Sequence, residues 1–240
     1  LVNYDAGMPR AIPGDRFEAL IDAATAVFLE QGYRNTQVAD VAARMGLSKG
    51  SIYTYVESKE ALFDCVLRHA DHAHRIELPE VLPVPTPSPG ATLKMVQELL
   101  AAEGALPALT AALARARVAD VRAEVDAVLG ELYDALAAHR TAIKLLDRCA
   151  RDYPDLAELW HRGGREGALA LLGRYFDDRA RRGHLRRNGD GAIAARIVLE
   201  TLVFWAVHRH WDPSPQAVDE SSVRQIVLDF LAAALLKEPR

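Results

Sequence analysis

From Phe17 to Leu235 the apolar residues of this chain recur at intervals of three and four, and no segment alternates with a period of two. That regularity excludes strands with one buried face and requires helices throughout. One stretch escapes it: Pro79-Glu-Val-Leu-Pro-Val-Pro-Thr-Pro-Ser-Pro-Gly90, with five prolines in twelve residues. Proline lacks an amide donor and its ring clashes with the preceding helical turn, so an extended connector is expected there. The fold class is all-α, with a smaller part before the connector and a larger part after it.

Composition narrows the class further. The 240 residues are 50% apolar and 26% charged, which is globular and excludes disorder, collagen-like repeats and disulfide scaffolds. Cys65 and Cys149 lie far apart with no CxxC pairing, so neither a metal nor a redox motif is expected, and a reducing cytoplasm is the natural setting. No basic–apolar–small leader and no uncharged apolar run of roughly 18 residues occurs, so no signal peptide or membrane span is expected. P-loop, GxGxxG and HExxH patterns are absent, so neither an enzyme nor a cofactor is expected. A net charge of −4 gives no global sign of a nucleic-acid partner. Any such claim rests on local charge.

Residues 1–14, with Gly7, Pro9, Pro13 and Gly14, read as a flexible arm. A helix starts at Asp15, which has capping-box spacing to Glu18, and Phe17, Leu20, Ile21, Ala24, Val27 and Phe28 share one face. Gly32 ends it, where a positive φ is wanted. Helices follow at Gln37–Met45, at Ser48–Tyr55, and from Ser58 to Leu78. The expected divisions are 15–58, a connecting helix over 59–78, the proline-rich loop over 79–90, and a helical domain over 91–240.

Within Gln37–Tyr55 the residues satisfy the steric demands of a DNA-binding helix-turn-helix. Ala42 is small where the helices cross, Gly46 supplies the left-handed turn, and Val41, Met45, Leu47 and Ile52 fill the angle. Thr36 and Ser48 are placed to cap the two helices. The second helix is polar outside and rich in donors, and its first residues suit a phosphate or the major groove. Local charge supports this modestly. Arg34, Arg44, Lys49 and Lys59 stand against Asp40 and Glu57 in residues 33–59, while residues 1–78 carry a net −3. A shallow salt dependence is expected.

The run Gly32-Tyr-Arg-Asn-Thr36-Gln-Val38-Ala-Asp40-Val-Ala42, then Gly46-Leu-Ser48-Lys-Gly50-Ser-Ile-Tyr53-Thr-Tyr55, then Ser58-Lys-Glu60-Ala-Leu62 resembles the tetracycline-repressor (TetR) family of bacterial regulators. The resemblance covers roughly Asp15–Leu67. It implies a three-helix helix-turn-helix DNA-binding domain with a divergent helical ligand-binding and dimerisation domain behind it. By position it implies that Thr36 and Gln37 open the second helix beside a phosphate. Ser48, Lys49, Gly50 and Ser51 form the front of the recognition helix. Tyr53 and Tyr55 flank the site, Tyr53 towards phosphate, and Lys59 lies next to the backbone. Core packing is the alternative for one of the two tyrosines. Gln37 stands where a small hydroxyl residue is common, Ser51 where threonine is frequent, and Val56 where an aromatic is usual. Gln37 has the amide that reads adenine.

In the larger part, Ala192–Val207 is apolar on nearly every side, and about Glu220–Lys237 presents one broad apolar face. Two such helices predict a homodimer through Ile197, Leu202, Trp205, Ile226, Phe230 and Ala233, with the monomer's own core as the alternative; the resemblance implies the same dimer. A two-fold predicts a roughly palindromic operator on double-stranded DNA. Trp160-His-Arg-Gly163-Gly164-Arg-Glu-Gly167 places three glycines inside a helix, each costing about 1 kcal/mol against alanine. Close helix packing is the preferred reason, and a ligand pocket at Trp160, Gly163 and Gly167 is the other. His69, His72 and His74 lack a carboxylate at ligand spacing, so no metal site is expected. Arg179, Arg181, Arg182, Arg186 and Arg187 around Gly183 read as solvation of a helix end. The expectation is a dimeric repressor released by an unidentified small effector that tilts the connecting helix. The alternative is a helical ligand-binding or scaffold protein with a vestigial helix-turn-helix.

Overall fold

A computed structural model describes residues 14–71, 76–186, 189–214 and 216–237. The arm over residues 1–13, the Asp15 cap, His72, His74 and Arg187 lie outside the described residues or side chains. The chain divides into two compact units, Leu1–Pro89 and Gly90–Arg240. Among the described residues no strand forms, and helices account for the ordered backbone of both units.

In the first unit the helices are α1 (Gly14–Asn35), α2 (Val38–Arg44), α3 (Lys49–Ile52) and α4 (Lys59–Arg68). The face predicted for α1 is buried: Phe17, Leu20, Ala24 and Phe28 have no exposure. It packs on Val41, Ile52, Val56, Leu62 and Val66, all without exposure as well. Phe63 joins Phe28 and Tyr33 in an aromatic cluster, with ring centroids 5.0 and 4.7 Å apart. Gly32 takes φ +82, ψ 177 and interrupts α1, as the sequence requires.

Two expectations about these helices are corrected. The recognition helix is a single turn, Lys49–Ile52, and not Ser48–Tyr55; Tyr53–Tyr55 continue as turns. The connecting helix ends at Arg68 instead of Leu78. Its apolar face stops at Leu67, and Arg68-His-Ala-Asp71 offers nothing to bury. Leu78, just before Pro79, is not helical, and the proline ring disfavours helical backbone at that position.

The proline-rich segment is extended, and it is also tied down. Val84 N–H donates to Tyr55 O at 2.8 Å, and Glu57 N–H donates to Val84 O at 3.0 Å. Further along, Thr86 N–H donates to the Glu57 carboxylate at 2.8 Å, and its hydroxyl donates to Ser58 Oγ at 2.9 Å. The parallel bridge Val56–Val84 therefore covers the small valine that stands where an aromatic is usual.

The second unit contains α5 (Ala91–Glu103), α6 (Pro107–Ala114), α7 (Val121–Ala138), α8 (Arg140–Cys149) and α9 (Pro154–Glu158). A π-helical turn over Leu159–Arg165 leads into α10 (Glu166–Arg181), followed by α11 (Gly191–Ala206), a 3-10 turn (His208–Trp211) and α12 (Glu220–Leu235). Leu109, Leu129, Tyr133, Leu172, Tyr175, Ala195, Leu202 and Leu231 form its core.

Arg179 is the main surprise in that core. It has no exposure, where solvation of a helix end was expected. Its Nε donates to Glu124 Oε1 at 2.7 Å, Nη1 to Asp178 Oδ2 at 2.5 Å, and Nη2 to Ala112 O. The Tyr175 hydroxyl donates to the same Glu124 oxygen at 3.3 Å, and burial pushes that phenol well above its usual range. Position explains the burial: Arg179 continues the Leu172–Tyr175–Phe176 stripe of α10 at helical spacing, so it enters the core with them.

Candidate nucleic-acid interface

The turn between α2 and α3 is a Schellman motif. Gly46 N–H donates to Ala43 O at 3.1 Å and Leu47 N–H to Ala42 O at 2.9 Å, with Gly46 at φ +66. A Cβ at Gly46 meets nothing within 4 Å, so backbone conformation, not space, demands glycine there. Val41 and Ile52 are sealed inside the angle between the helices, whereas Met45 and Leu47 are only half-buried. At the start of α3, Ser48 Oγ accepts Ser51 N–H at 3.2 Å, the expected N-cap.

The predicted site residues fall into two groups. Gln37, Ser48, Lys49, Gly50 and Tyr53 are exposed, with Ser51 half-exposed behind them. Lys49 Nζ lies 5.9 Å from the centroid of the Tyr53 ring. Thr36 and Tyr55 are instead interior. Thr36 is 1% exposed and does not cap α2; its hydroxyl donates to Gly32 O at 2.6 Å, satisfying a carbonyl freed by the break in α1. The cap of α2 is Gln37, whose N–H donates to Asp40 Oδ2 at 2.9 Å. Tyr55 is 4% exposed against Phe17, with ring centroids 6.5 Å apart, so it is the tyrosine that packs. Lys59 is turned inward. Its ammonium donates to Tyr33 O at 3.0 Å and Arg34 O at 3.4 Å and lies over the Tyr33 ring at 4.6 Å. Arg44 pairs with Glu30 at 2.7 Å.

In the second unit the apolar faces of α11 and α12 are open. Ile197 (60% exposed), Ile226 (64%) and Phe230 (71%) lie outside, as does Ala233. Leu202 has no exposure and belongs to the unit's own core, and Trp205 is half-buried. Ile193 and Phe204, which the all-round apolar pattern of α11 did not single out, extend the open face along the Ile197 stripe.

Trp160 is buried, and its indole N–H donates to Asp147 Oδ1 at 2.6 Å. Close packing of a neighbouring helix does not explain Gly163 or Gly167. A Cβ at Gly163 meets only Leu159 of its own turn at 3.7 Å, and one at Gly167 meets nothing. Only at Gly164 does another element approach, through Leu100 at 3.8 Å. A cleft of about 720 Å³ opens elsewhere, between α6 and α10, lined by Leu113, Arg174, Asp177, Asp178 and Arg181. Its lining is mostly charged. No group of side chains suited to a metal ion occurs among the described residues, and no helix there is long and apolar enough to cross a membrane.

Comparison with known proteins bears on both units. Residues 20–66 match the family model described as bacterial regulatory proteins, tetR family. The chain is 43% identical over 49 residues to the HTH-type transcriptional repressor KstR2 of Rhodococcus jostii, a match covering 20% of this chain and 24% of the relative. It thus spans about a quarter of the length of the curated relatives it matches. Over nearly the whole chain the fold matches solved structures at low identity. The ketosteroid transcriptional regulator KstR2 of Mycobacterium tuberculosis aligns with a TM-score of 0.57 and 18% identity, covering 97% of this chain and 99% of that one. A bacterial regulatory protein in the tetR family from Rhodococcus RHA1 gives a TM-score of 0.52 and 16% identity over 92% and 97% of the two chains. Residues 20–66 are thus similar to the tetR family of bacterial regulatory proteins, and over nearly its whole length the chain has the fold of those solved regulators.

Proposed function

We propose that this protein is a dimeric, sequence-specific DNA-binding regulator of transcription and not an enzyme, acting as a repressor that a small molecule releases. The observation that carries this reading is the exposed Lys49–Tyr53 face, held outward on a turn fixed by the Gly46 Schellman motif and the Ser48 cap. A helix so presented enters a major groove, with Gln37 and Tyr53 set to contact the flanking backbone. The open faces of α11 and α12 support self-association. Exposed isoleucines and a phenylalanine four residues apart are unfavourable in water and complementary to a second copy of themselves. Two copies ask for two half-sites, hence a roughly palindromic operator.

Release requires an effector that prefers the conformation unable to bind DNA. A hundredfold loss of affinity needs about 2.7 kcal/mol of differential binding. The surface left open at Gly163 and Gly167 beside Trp160 is assigned to that contact.

A gel-shift assay on DNA flanking the protein's own gene tests the reading. Specific retardation is expected, lost with Lys49→Glu or Tyr53→Ala while the helical circular dichroism is unchanged. Light scattering at micromolar concentration is expected to give twice the 26.3 kDa chain mass. Absence of any specific complex favours the alternative of a ligand-binding or scaffold protein, which the weak basic balance of residues 1–78 would fit.

A further inference from the structure

The recognition turn carries five polar or small side chains, but most of its hydrogen-bonding capacity is engaged locally. Ser48 Oγ caps Ser51 N–H and shares one hydrogen bond with Ser51 Oγ at 2.9 Å, which engages both hydroxyls locally. Thr54 Oγ1 donates to Ser51 O at 2.7 Å. Gly50 contributes backbone only, and a Cβ there would meet nothing but Ser48 Oγ at 3.8 Å. Lys49 and Tyr53 stand outside this network. Both are exposed, and four residues apart they share a face; among the described residues neither polar end has a hydrogen bond or ion pair. Of the other cations near the motif, Arg44 is paired to Glu30 and Lys59 is folded onto the end of α1, while the exposed Arg34 belongs to the last turn of α1 and not to the recognition turn. Lys49 is thus the one cation seated on the recognition turn itself, at its first residue.

We propose that Lys49 is the base-reading side chain of this protein and that the base it selects is guanine. The inference rests on the DNA-binding reading above. Lysine has three donors and no acceptor. In the major groove guanine offers two adjacent acceptors, N7 and O6, whereas adenine pairs its N7 with a donating amino group and cytosine offers only a donor. An ammonium therefore discriminates for guanine. The Tyr53 ring beside the lysine limits where the stem can swing, which favours a fixed base contact over a roaming phosphate contact. The serines at the front of the turn set its shape and carry little of the readout.

The experiment is selection from random-sequence duplexes by the full-length protein, followed by affinity measurement on the selected site with each base substituted in turn. Wild type is expected to select a half-site with one guanine that is preferred roughly tenfold or more. Lys49→Ala is expected to lose the preference at that position alone, Lys49→Arg to keep it, and Lys49→Gln to move it to adenine. An unchanged selected sequence for Lys49→Ala, with affinity falling equally on every duplex and a shallower salt dependence, makes Lys49 a phosphate contact and overturns the proposal. If the wild-type protein selects no sequence at all, the regulator reading fails first and this assignment falls with it. Because Lys49 is exposed, all three variants are expected to melt with wild type, which the same preparations can verify.

Discussion

The two units of this chain dispose of their charges in opposite ways. In the first, each ion pair reaches the surface: Arg44–Glu30 has side chains 44% and 57% exposed and Arg68–Asp64 50% and 11%, and the interior is otherwise apolar apart from Thr36. In the second, Arg179 and Glu124 meet with side chains 0% and 4% exposed, between α7, α10 and the end of α6. Glu220, at the start of α12, gathers Tyr133 at 2.8 Å, Arg140 at 3.3 Å and His210 at 3.4 Å, and also meets Arg209. A surface pair in water contributes at most about 1 kcal/mol, whereas a buried charge that loses its partner is left with its desolvation penalty. The Arg44–Glu30 pair of the first unit can therefore be varied at little cost, and the Arg179–Glu124 pair of the second cannot.

The sharpest way to break that contrast is Arg179→Met. It leaves Glu124 buried without its cation, and a loss of about 3–5 kcal/mol is expected in urea unfolding. Replacing both partners, Arg179→Met with Glu124→Leu, is expected to recover most of the loss, since two apolar groups of similar volume need no pairing. Arg44→Met in the first unit is expected to change stability by less than about 1 kcal/mol. Equal losses for Arg44→Met and Arg179→Met would erase the distinction.

A smaller effect is expected at the turn of the first unit. Gly46→Ala forces a side chain into the left-handed region, at a cost of about 1–2 kcal/mol. Since the empty space around that position rules out a clash, the strain acts on the angle between α2 and α3. DNA affinity should therefore fall by more than thermal stability alone accounts for. Normal affinity with lowered stability would separate the turn from the interface.

How much of this was legible in the sequence follows the same division. The first unit has local rules: Gly32 and Gly46 demand positive φ, Ser48 caps, and a dense motif fixes the rest. Its misreadings were of where two helices end and of side-chain direction. Thr36, Tyr55 and Lys59 have the right chemistry for a surface contact, but each is recruited inward by something the spacing does not print, respectively the Gly32 carbonyl, the Phe17 ring and the open end of α1. In the second unit the helices were legible from period, and their partners were not. An all-apolar α11 does not say which face is left open, so Leu202 and Ile197 look alike until the neighbours are in place. Arg179 was readable in principle, because it lies three and four residues beyond Phe176 and Tyr175 on the buried stripe. Its company of Arg181 and Arg182 concealed it.

The mildest prediction concerns pH and again sets the units apart. His208 has its pKa lowered by burial and by the Lys144 ammonium, with Asp147 and Glu200 opposing and Arg165 adding to the shift. Burial, with Arg140 and Arg209 nearby, lowers His210, against the pull of Glu220. A histidine whose pKa in the folded protein lies below its ordinary 6.5 takes up a proton more readily when unfolded. Its contribution to stability is therefore fully present above pH 6.5 and declines as the pH falls through that value towards the lower folded one. Glu220 acts in the same direction at more acid pH: burial raises its pKa, but the Tyr133 hydrogen bond and the Arg140 and Arg209 charges outweigh that and hold it low. The urea midpoint of the protein should fall modestly between pH 7.5 and 5.5, and the double variant His208→Gln, His210→Gln should flatten the slope. A slope unchanged in that variant would move the acid sensitivity away from the 3-10 turn and the start of α12, and the second unit would lose its claim to be the pH-sensitive one.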